Sequence, residues 1–248
     1  MKRLFRLLRE EYADCKMLLR AVPSLTVSIF MLSVVCANLM ASKELVHFKY
    51  IALDCGFFFS WIMFLCMDVI CRRWGARASV KISAAALAAN LAVCAVFAAL
   101  SRTPGKWGAF YESGSTAAND ALNATFGSSW YVVFGSALAF LLSSVINAAL
   151  NASVGARLRK KGFFSFAVRS YVSTAAAQLA DNLVFATVVS KLFFGWTWTQ
   201  VFACSATGAL FELLCEVLFS GIGYKIVCSW EKENVGEEYF LYRQKKAV

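Results

Sequence analysis

Six blocks of mostly apolar residues divide this chain, and each is close to the length of about 20 residues that a helix needs to cross a bilayer. Hydrophobic residues make up 60% of the sequence, charged residues make up 16%, and only 2 prolines interrupt it. These features predict an all-α, polytopic integral membrane protein that forms one domain. The predicted transmembrane helices are Ala21–Ser42, Ile51–Cys71, Ser79–Leu100, Ser128–Asn151, Ser170–Ser190 and Val201–Ile226.

The net charge of +10 follows the loops of this predicted topology. Of the 25 Lys and Arg residues, 20 lie in four segments on one side of the membrane, namely 1–20, 72–81, 157–169 and 225–248. Basic residues concentrate in cytoplasmic loops, so both termini are predicted to be cytoplasmic. An even number of spans agrees with this, since it places both termini on the same side. A nucleic-acid site would need a soluble module, for which the chain has no room, and no nucleic-acid partner is predicted.

The predicted transmembrane domain comprises residues 21–226, and the two segments outside it differ in character. Residues 1–20 place six Lys and Arg residues among Leu and Phe, which predicts a cytoplasmic amphipathic helix on anionic lipid, although a solvated tail fits as well. The apolar block that follows is too long for the core of a signal peptide. Residues 227–248 mix Glu with Lys and Arg and predict a solvated cytoplasmic tail.

An ionisable residue, Asp181, lies near the middle of the fifth predicted span. Such a residue costs about 2.5 to 3.5 kcal/mol on insertion scales, so it is usually kept because it faces a polar cavity. Helical spacing places Asp181 on one face with Gln178, Asn182 and Phe185. This face predicts a substrate site inside the membrane, and the alternative is that its polar groups join two helices.

The second span carries a second candidate group. Phe57, Trp61, Phe64 and Asp68 recur at helical spacing, which predicts an aromatic wall that leads to a carboxylate. Arg72 lies one turn beyond Asp68, so an ion pair that anchors the helix end is the alternative.

The first and last spans add further polar residues. Glu212 and Glu216 lie one turn apart on one helical face, where two acids in a low dielectric repel each other, which predicts a shared proton. Asn38 precedes Lys43 at the outer boundary of the first span, where the ammonium can reach water. We therefore assign Asn38 and Glu216 to the substrate site, and we assign a coupling or charge network to Lys43, Arg72, Glu212 and Glu216.

No cofactor, metal site or enzymatic activity is predicted. The 9 cysteines include no C-x-x-C pair, and most lie in the spans, which is typical of small packing residues. The single histidine, His47, cannot form a zinc site by itself. The sequence also lacks the motifs of serine hydrolases, zinc proteases and phosphate-binding loops.

Two features bear on partners and on access to the site. The third span contains alanines at four-residue steps, which predict an internal helix contact or a docking face for another subunit, such as a second copy in a homodimer. These alanines are Ala84, Ala88 and Ala92, with Ala85 and Ala89 beside them. The longest loop, from Ser101 to Gly127, could form an external lid or an interfacial helix.

Two stretches of the sequence occur together in a characteristic order. The first joins Asn38-Leu-Met-Ala-Ser-Lys43 to Phe57 through Phe64 and then to Asp68-Val-Ile-Cys-Arg72-Arg-Trp-Gly75. The second joins Arg157-Leu-Arg159 to Ser173-Thr174, Gln178, Asp181-Asn182-Leu183 and Phe185. In this ordered set, which covers most of its length, the chain resembles the queuosine precursor transporters, the vitamin-uptake-like family.

The resemblance implies a six-helix inner-membrane importer of 7-deazaguanines for tRNA queuosine salvage, with 7-cyano-7-deazaguanine, 7-aminomethyl-7-deazaguanine or queuine as substrate. A carboxylate such as Asp181 or Asp68 would accept the N1–H and the 2-amino group together. The flat ring would stack on Phe and Trp side chains. Donors for the 6-oxo group are available in Asn182, Gln178 and Asn38.

One position departs from the family pattern. Glu212 stands where members of the family carry a lysine in the last helix, while Glu216 four residues later is kept. The additional carboxylate favours a cationic aminomethyl precursor over the neutral cyano compound.

Three classes of function are compatible with these features. The leading class is a carrier that works by alternating access without an ATP-driven module, with proton coupling through Glu212 and Glu216 as a further hypothesis. The second is a substrate-binding subunit of a vitamin-type uptake system that needs a separate ATP-driven module. The third is a scaffold or membrane enzyme, which buried acids without a His or a Ser/Cys nucleophile support poorly.

Overall fold

The structure is a computed structural model that describes residues 2–41, 43–127, 130–158 and 162–247. Helices form almost all of it, and a single two-stranded hairpin is present among these residues. In chain order the elements are α1 (Lys2–Ala21), α2 (Ser24–Met40), β1 (Glu44–Phe48), β2 (Ile51–Asp54), α3 (Phe57–Trp74), α4 (Ala76–Leu100), α5 (Gly108–Ser113), α6 (Thr116–Gly127), α7 (Trp130–Arg157), α8 (Phe163–Phe185), a π-helical turn (Ala186–Lys191), α9 (Leu192–Phe194), α10 (Trp198–Lys232) and α11 (Glu237–Ala247).

Several helices are long and apolar enough to cross a membrane. Within the described ranges, four stretches meet this criterion alone, and the pair Arg9–Ala21 and Ser24–Met40 adds a fifth if it counts as one bent span. The chain is therefore a helical, multi-pass membrane protein, and the total of six spans stays a prediction. The four stretches are Ala76–Leu100, Thr116–Arg157, Phe163–Phe194 and Trp198–Lys232.

The first predicted span is interrupted near its start. Helix α1 ends at Ala21, α2 begins at Ser24, and the two segments are bent by 109°. Pro23 between them explains the break, since proline lacks the N–H that an uninterrupted helix needs and disfavours the helical conformation of the residue before it. The predicted end of this span at Ser42, and the predicted start of the fourth span at Ser128, lie outside the described residues.

The prediction that the second span begins at Ile51 is wrong. Residues Ile51–Asp54 form strand β2, which pairs antiparallel with β1, and the N–H of Cys55 donates to the carbonyl of Lys43 at 2.7 Å. The hairpin is a local exception in a chain that is otherwise helical, as the sequence predicts. Its backbone groups are satisfied by cross-strand bonds, so the helix begins only after Gly56.

Helix α3 lies inside the bundle, where other helices rather than lipid surround its charged residues. Its 18 residues include Asp68, Arg72 and Arg73, and half of them are buried. Helices α2, α4, α7 and α10 all contact it, and α8 packs between α7 and α10. The largest buried apolar side chains of this core are Phe30, Phe64, Leu18, Met67, Ile70 and Ile82.

The outer face of α10 is apolar and exposed. Four residues at four-residue steps show between 49% and 76% of their surface: Leu210, Leu214, Leu218 and Ile222. A continuous apolar stripe of this kind suits contact with lipid tails. Helix α10 has 35 residues, or about 52 Å at 1.5 Å per residue, so its last turns extend beyond a bilayer core of about 30 Å.

The alanine steps of the third span do not form the expected internal contact. Ala84, Ala88 and Ala92 are exposed on the outside of α4, whereas Ile82 and Ala86 face the core. The helix contacts of α4 are made by a different stripe, offset from the alanines by two residues.

The C-terminal segment is solvated on one face, where its Glu and Lys residues are exposed, and packed on the other. Tyr239 on α11 is 4% exposed, and its hydroxyl donates to the buried Asp14 carboxylate of α1 at 3.4 Å. Asp14 also pairs with Lys81 of α4 and lies 3.7 Å from the guanidinium of Arg243. Helices α1 and α11 therefore lie at the same end of the bundle, and the orientation of that end in the membrane stays a prediction.

Gly56 allows the start of α3 to approach α2. A Cβ at this position would lie 2.6 Å from the carbonyl oxygen of Ala37 and 2.8 Å from Oδ1 of Asp54. We expect Gly56→Ala to lower the free energy of unfolding by about 1–3 kcal/mol, because backbone must move. Thermal unfolding in detergent measures this. Gly221→Ala is the control, since nothing lies within 4 Å of its Cβ; equal losses in both variants would contradict the prediction.

Candidate functional site

A cavity of about 590 Å³ lies at the end of the bundle that carries the β-hairpin. Helices α2, α3, α8 and α10 contribute to its wall, together with β2 and the π-helical turn. A smaller hollow of about 80 Å³ shares part of this lining and reaches deeper into the bundle, to Ser60, Ser136 and Asp181. The polar and aromatic lining of the larger cavity includes Asn38, Asp54, Phe57, Asn182, Phe185, Trp196 and Glu212.

Glu212 joins three helices at this cavity. Its Oε1 accepts a hydrogen bond from Ser60 on α3, and its Oε2 accepts one from Nδ2 of Asn182 on α8 at 3.1 Å. Gly208, one turn earlier on α10, permits this approach, because a Cβ there would lie 3.2 Å from the same Nδ2. Each carboxylate oxygen can accept a further bond, so Glu212 keeps acceptor capacity toward the cavity.

Asn38 and Asp181 are each held by one serine of α7. The Oδ1 of Asn38 accepts from Ser136, while its Nδ2 donates to the carbonyl of Val34 at 2.9 Å. The Oδ1 of Asp181 accepts from Ser143 at 2.7 Å. In the sequence both positions stand out as polar residues in apolar blocks. In the structure each accepts a hydrogen bond from another helix and also lines a hollow.

Two further acids of the cavity lining, Glu44 and Asp54, come from the hairpin. The backbone N–H groups of Gly56 and Phe57 donate to the carboxylate of Asp54, and burial raises the pKa of Asp54 to about 6. Asp54 and Glu212 line both hollows, and Asp181 lines the smaller one. Within the described part of the chain, no Lys, Arg or His lines either hollow. The site therefore suits a ligand that presents hydrogen-bond donors or a positive charge.

A second polar group is sealed inside the bundle, toward the end that carries α1 and α11. Its centre is Asp68, which is fully buried. Nδ2 of Asn147 donates to its Oδ1 at 2.7 Å, and Nδ2 of Asn151 donates to the same oxygen at 3.0 Å. Its Oδ2 accepts from the hydroxyls of Ser170 and Thr174, the latter at 3.2 Å. Asp68 thus links α3 to α7 and α8 and takes no part in the cavity.

Ser170 also connects Asp68 to Glu216. Its Oγ lies 2.5 Å from Oε1 of Glu216 on α10, in addition to its contact with Oδ2 of Asp68. Glu216 is fully buried, and its Oε2 has no hydrogen-bond partner among the described residues. We name this interior network by its three members Asp68, Ser170 and Glu216.

Arg169 is a buried cation that is linked to the interior network through Asn151. Its Nε donates to the carbonyl of Asn151 at 3.2 Å, and its Nη2 donates to the Oδ1 of the same residue at 2.8 Å. Asn151 in turn donates to Asp68. Gly155 gives the guanidinium room, since a Cβ there would lie 2.5 Å from it.

The predicted site residues therefore separate into several places. Asn38, Phe57, Asn182, Phe185 and Glu212 line the cavity, and Asp181 lines its deeper hollow. Asp68 and Glu216 belong to the interior network instead. The expected pairing of Glu212 with Glu216 is replaced by separate partners, Ser60 and Asn182 for the first and Ser170 for the second.

The remaining predicted residues line neither hollow. Trp61 stacks on Phe219 with ring centroids 4.3 Å apart, and Phe64 is a core residue with 1% exposure. Gln178 is fully buried, and neither atom of its amide has a partner in the described ranges. Lys43 is exposed, and Arg72 is half-buried at the end of α3. No ion pair between Arg72 and Asp68 occurs among the described residues.

Several polar residues of these two groups were missed from the sequence. Asn147 and Asn151 lie one turn apart in an apolar block, which is the same signal that identified Asp181. Asp54 was missed because its strand was predicted as helix, and Arg169 because it was counted with a basic loop. The serines gave no signal, since serine is common in membrane helices.

Comparison with known proteins gives one match. Residues 54–226 match a family model whose members are described as vitamin uptake transporters. The matched region contains α3 to most of α10, and thus the helices that carry the interior network and most of the cavity wall. No curated protein and no solved structure matches the chain.

Proposed function

Because the chain belongs to the vitamin uptake transporter family, we propose that it imports a 7-deazaguanine precursor of queuosine across the cytoplasmic membrane. The observation that carries the proposal is the composition of the cavity, which combines acidic acceptors with aromatic rings. Its volume of about 590 Å³ lies in the range of about 300–1,000 Å³ that is usual for small-molecule sites.

The chemistry of a 7-deazaguanine matches this lining. Its N1–H and 2-amino group point the same way, and the carboxylate of Glu212 accepts both. Asn182 uses one amide N–H on Glu212 and keeps the other for the 6-oxo group. Phe57 and Phe185, both in the cavity wall, offer faces for the flat ring.

The charge of the cavity favours a cationic substrate. Asp54, Asp181 and Glu212, together with Glu44 of β1, bring four acidic groups to the two hollows, and no basic side chain of the described residues lines either hollow. An aminomethyl group at the 7-position of the ring provides the missing positive charge, and a cyano group does not.

We expect the purified protein to bind 7-aminomethyl-7-deazaguanine at least about tenfold more tightly than 7-cyano-7-deazaguanine, because a charge-assisted hydrogen bond contributes about 1.5–3 kcal/mol. Calorimetric titration in detergent measures both constants, with guanine and adenine as reference ligands. Preference for the cyano compound would overturn the charge argument. Failure to bind any 7-deazaguanine would overturn the substrate class.

The mode of transport is proposed to be that of a self-sufficient carrier. Uptake into vesicles that contain the purified chain alone tests this, and we expect it to occur without any added ATPase. The exposed alanines Ala84, Ala88 and Ala92 on α4 favour a second candidate, a substrate-binding subunit that docks on an ATP-driven module. Tight binding without transport in the same vesicles would favour that candidate.

A further inference from the structure

The interior network holds two acids for one available cation. Asp68 and Glu216 are both fully buried, and neither forms an ion pair in the part of the chain that the structure describes. Arg169 contributes one positive charge through Asn151. A second, uncompensated negative charge in a dry interior carries a penalty of several kcal/mol. Electrostatics therefore favours the binding of one positive charge in addition to that of Arg169.

The hydrogen bonds point to the same deficit. Ser170 Oγ contacts both Asp68 and Glu216, but its hydroxyl has a single hydrogen and can donate to only one of them. The other contact is a hydrogen bond only if that carboxyl group carries a proton and donates it to Ser170. The Oε2 of Glu216 accepts no hydrogen bond from the described residues, so no donor stabilises a negative charge on that oxygen.

We propose, on the basis of the transport function above, that the Asp68–Ser170–Glu216 network is a proton-binding site that holds one shared proton and couples its movement to transport. A proton requires almost no volume, which agrees with the full burial of these three residues and with their absence from the lining of both hollows. The chemical class of the ligand is therefore H⁺, and the pair of acids titrates as a unit.

The position of the network explains how coupling works. Glu216 lies one turn, or about 6 Å, from the cavity residue Glu212 along α10. On α8, Gln178 lies one turn from Thr174, which donates to Asp68, and three residues from Asp181 of the deeper hollow. Its buried amide has no partner among the described residues. The network ties α3, α8 and α10 together, and Asn147 and Asn151 join α7 to it through Asp68. Opening the bundle at the network would expose both acids to water, where ionisation is favoured and the proton leaves.

Other titratable groups face the network from the packed helices. Arg169 is the cation that balances the remaining negative charge, and α7 contributes only the neutral amides of Asn147 and Asn151. The other groups near it are Cys66, Cys71 and Arg72 on α3, Tyr171 on α8, and Glu212 and Cys215 on α10.

Infrared spectroscopy of the purified protein without substrate tests the site. We expect a C=O stretching band of a protonated carboxylic acid at neutral pH that disappears in Glu216→Gln and also in Asp68→Asn, because each variant leaves one carboxylate to balance Arg169. Glu231→Gln, an exposed acid near the end of α10, is the control and keeps the band. A band that survives in both single variants, or is absent from the native protein, would overturn the proposal.

Transport in vesicles tests the coupling. We expect an inward proton gradient to drive accumulation by the native protein, and Glu216→Gln to lose the accumulation while it still exchanges labelled for unlabelled substrate. Ser170→Ala, which keeps both acids, is the second variant in case Glu216→Gln does not fold. Accumulation driven by Na⁺ and indifferent to pH would overturn the proposal. If the native chain moves no 7-deazaguanine, the proposed substrate fails, and the infrared result still decides on the proton site.

Discussion

Replacement of Glu212 by Gln is expected to weaken the binding of 7-aminomethyl-7-deazaguanine about 100-fold. Gln keeps the size of the side chain but removes the charge and replaces one acceptor oxygen by a donor. Glu212 is only 7% exposed, so little water can replace a lost contact. The loss of its charge-assisted hydrogen bond then corresponds to about 3 kcal/mol. Binding to the purified variant, measured by calorimetric titration, provides the constant.

The comparison needs a carboxylate that lies outside the cavity. Asp120 on α6 is exposed, so Asp120→Asn changes the net charge by the same amount and should leave the affinity within about a factor of two. A similar loss in both variants would mean that the protein attracts its ligand by overall charge. Normal affinity of Glu212→Gln would instead move the ligand contact to Asp54 or Asp181.

Arg169→Met is expected to lower the free energy of unfolding by about 3–5 kcal/mol. The guanidinium is the only described cation linked to the interior network, and its removal leaves a buried negative charge without compensation. Met fills a similar volume, so the effect reports mainly on charge and on the hydrogen bonds of Asn151. Thermal unfolding in detergent should show a clearly lower midpoint, while ligand binding in the folded fraction is kept.

Neutralisation of the partner charge distinguishes electrostatics from packing. In the double variant Arg169→Met with Asp68→Asn, Glu216 is the only acid left in the interior network, and it can stay neutral by keeping its proton. No uncompensated charge is then buried, so the double variant should recover most of the lost stability. Arg157→Met, at an exposed position of α7, should stay within about 0.5 kcal/mol of the native protein. A double variant that is less stable than Arg169→Met would show that shape and hydrogen bonds dominate.

The relation between the two polar groups has a functional consequence. The cavity offers acceptors to a ligand at one end of the bundle, and toward the other end the interior network, with Asn147 and Asn151, links four helices. If the two proposals hold, ligand and proton act on the same set of helices, so each can shift the balance between the same two arrangements of the bundle.

The sequence was informative where a residue conflicts with its local surroundings. Asp181, Glu212 and Glu216 were found because an acid in an apolar block needs a reason to be there. The same argument did not distinguish Glu212 from Glu216, since both are one turn apart on one helix. Only the neighbouring helices separate them: α3 and α8 bring Ser60 and Asn182 to the first, and α8 brings Ser170 to the second.

The hairpin shows the opposite limit. Residues Ile51–Asp54 are apolar enough to extend the following helix, and their hydropathy alone predicts that they do. Pairing with Glu44–Phe48 satisfies their backbone groups in another way, and it carries Asp54 into the cavity. A strand depends on a partner elsewhere in the chain, so local periodicity does not reveal it.

By itself, the sequence determined that this chain is a helical membrane protein with buried acids, because apolar block length and the energy of a charge in hydrocarbon are local properties. The tertiary structure decided which acids meet a cavity and which are sealed away with Arg169, because that depends on the rotation and packing of helices distant in sequence. It also decided that Ala84, Ala88 and Ala92 face outward, because small residues alone do not show which side of a helix meets its neighbours.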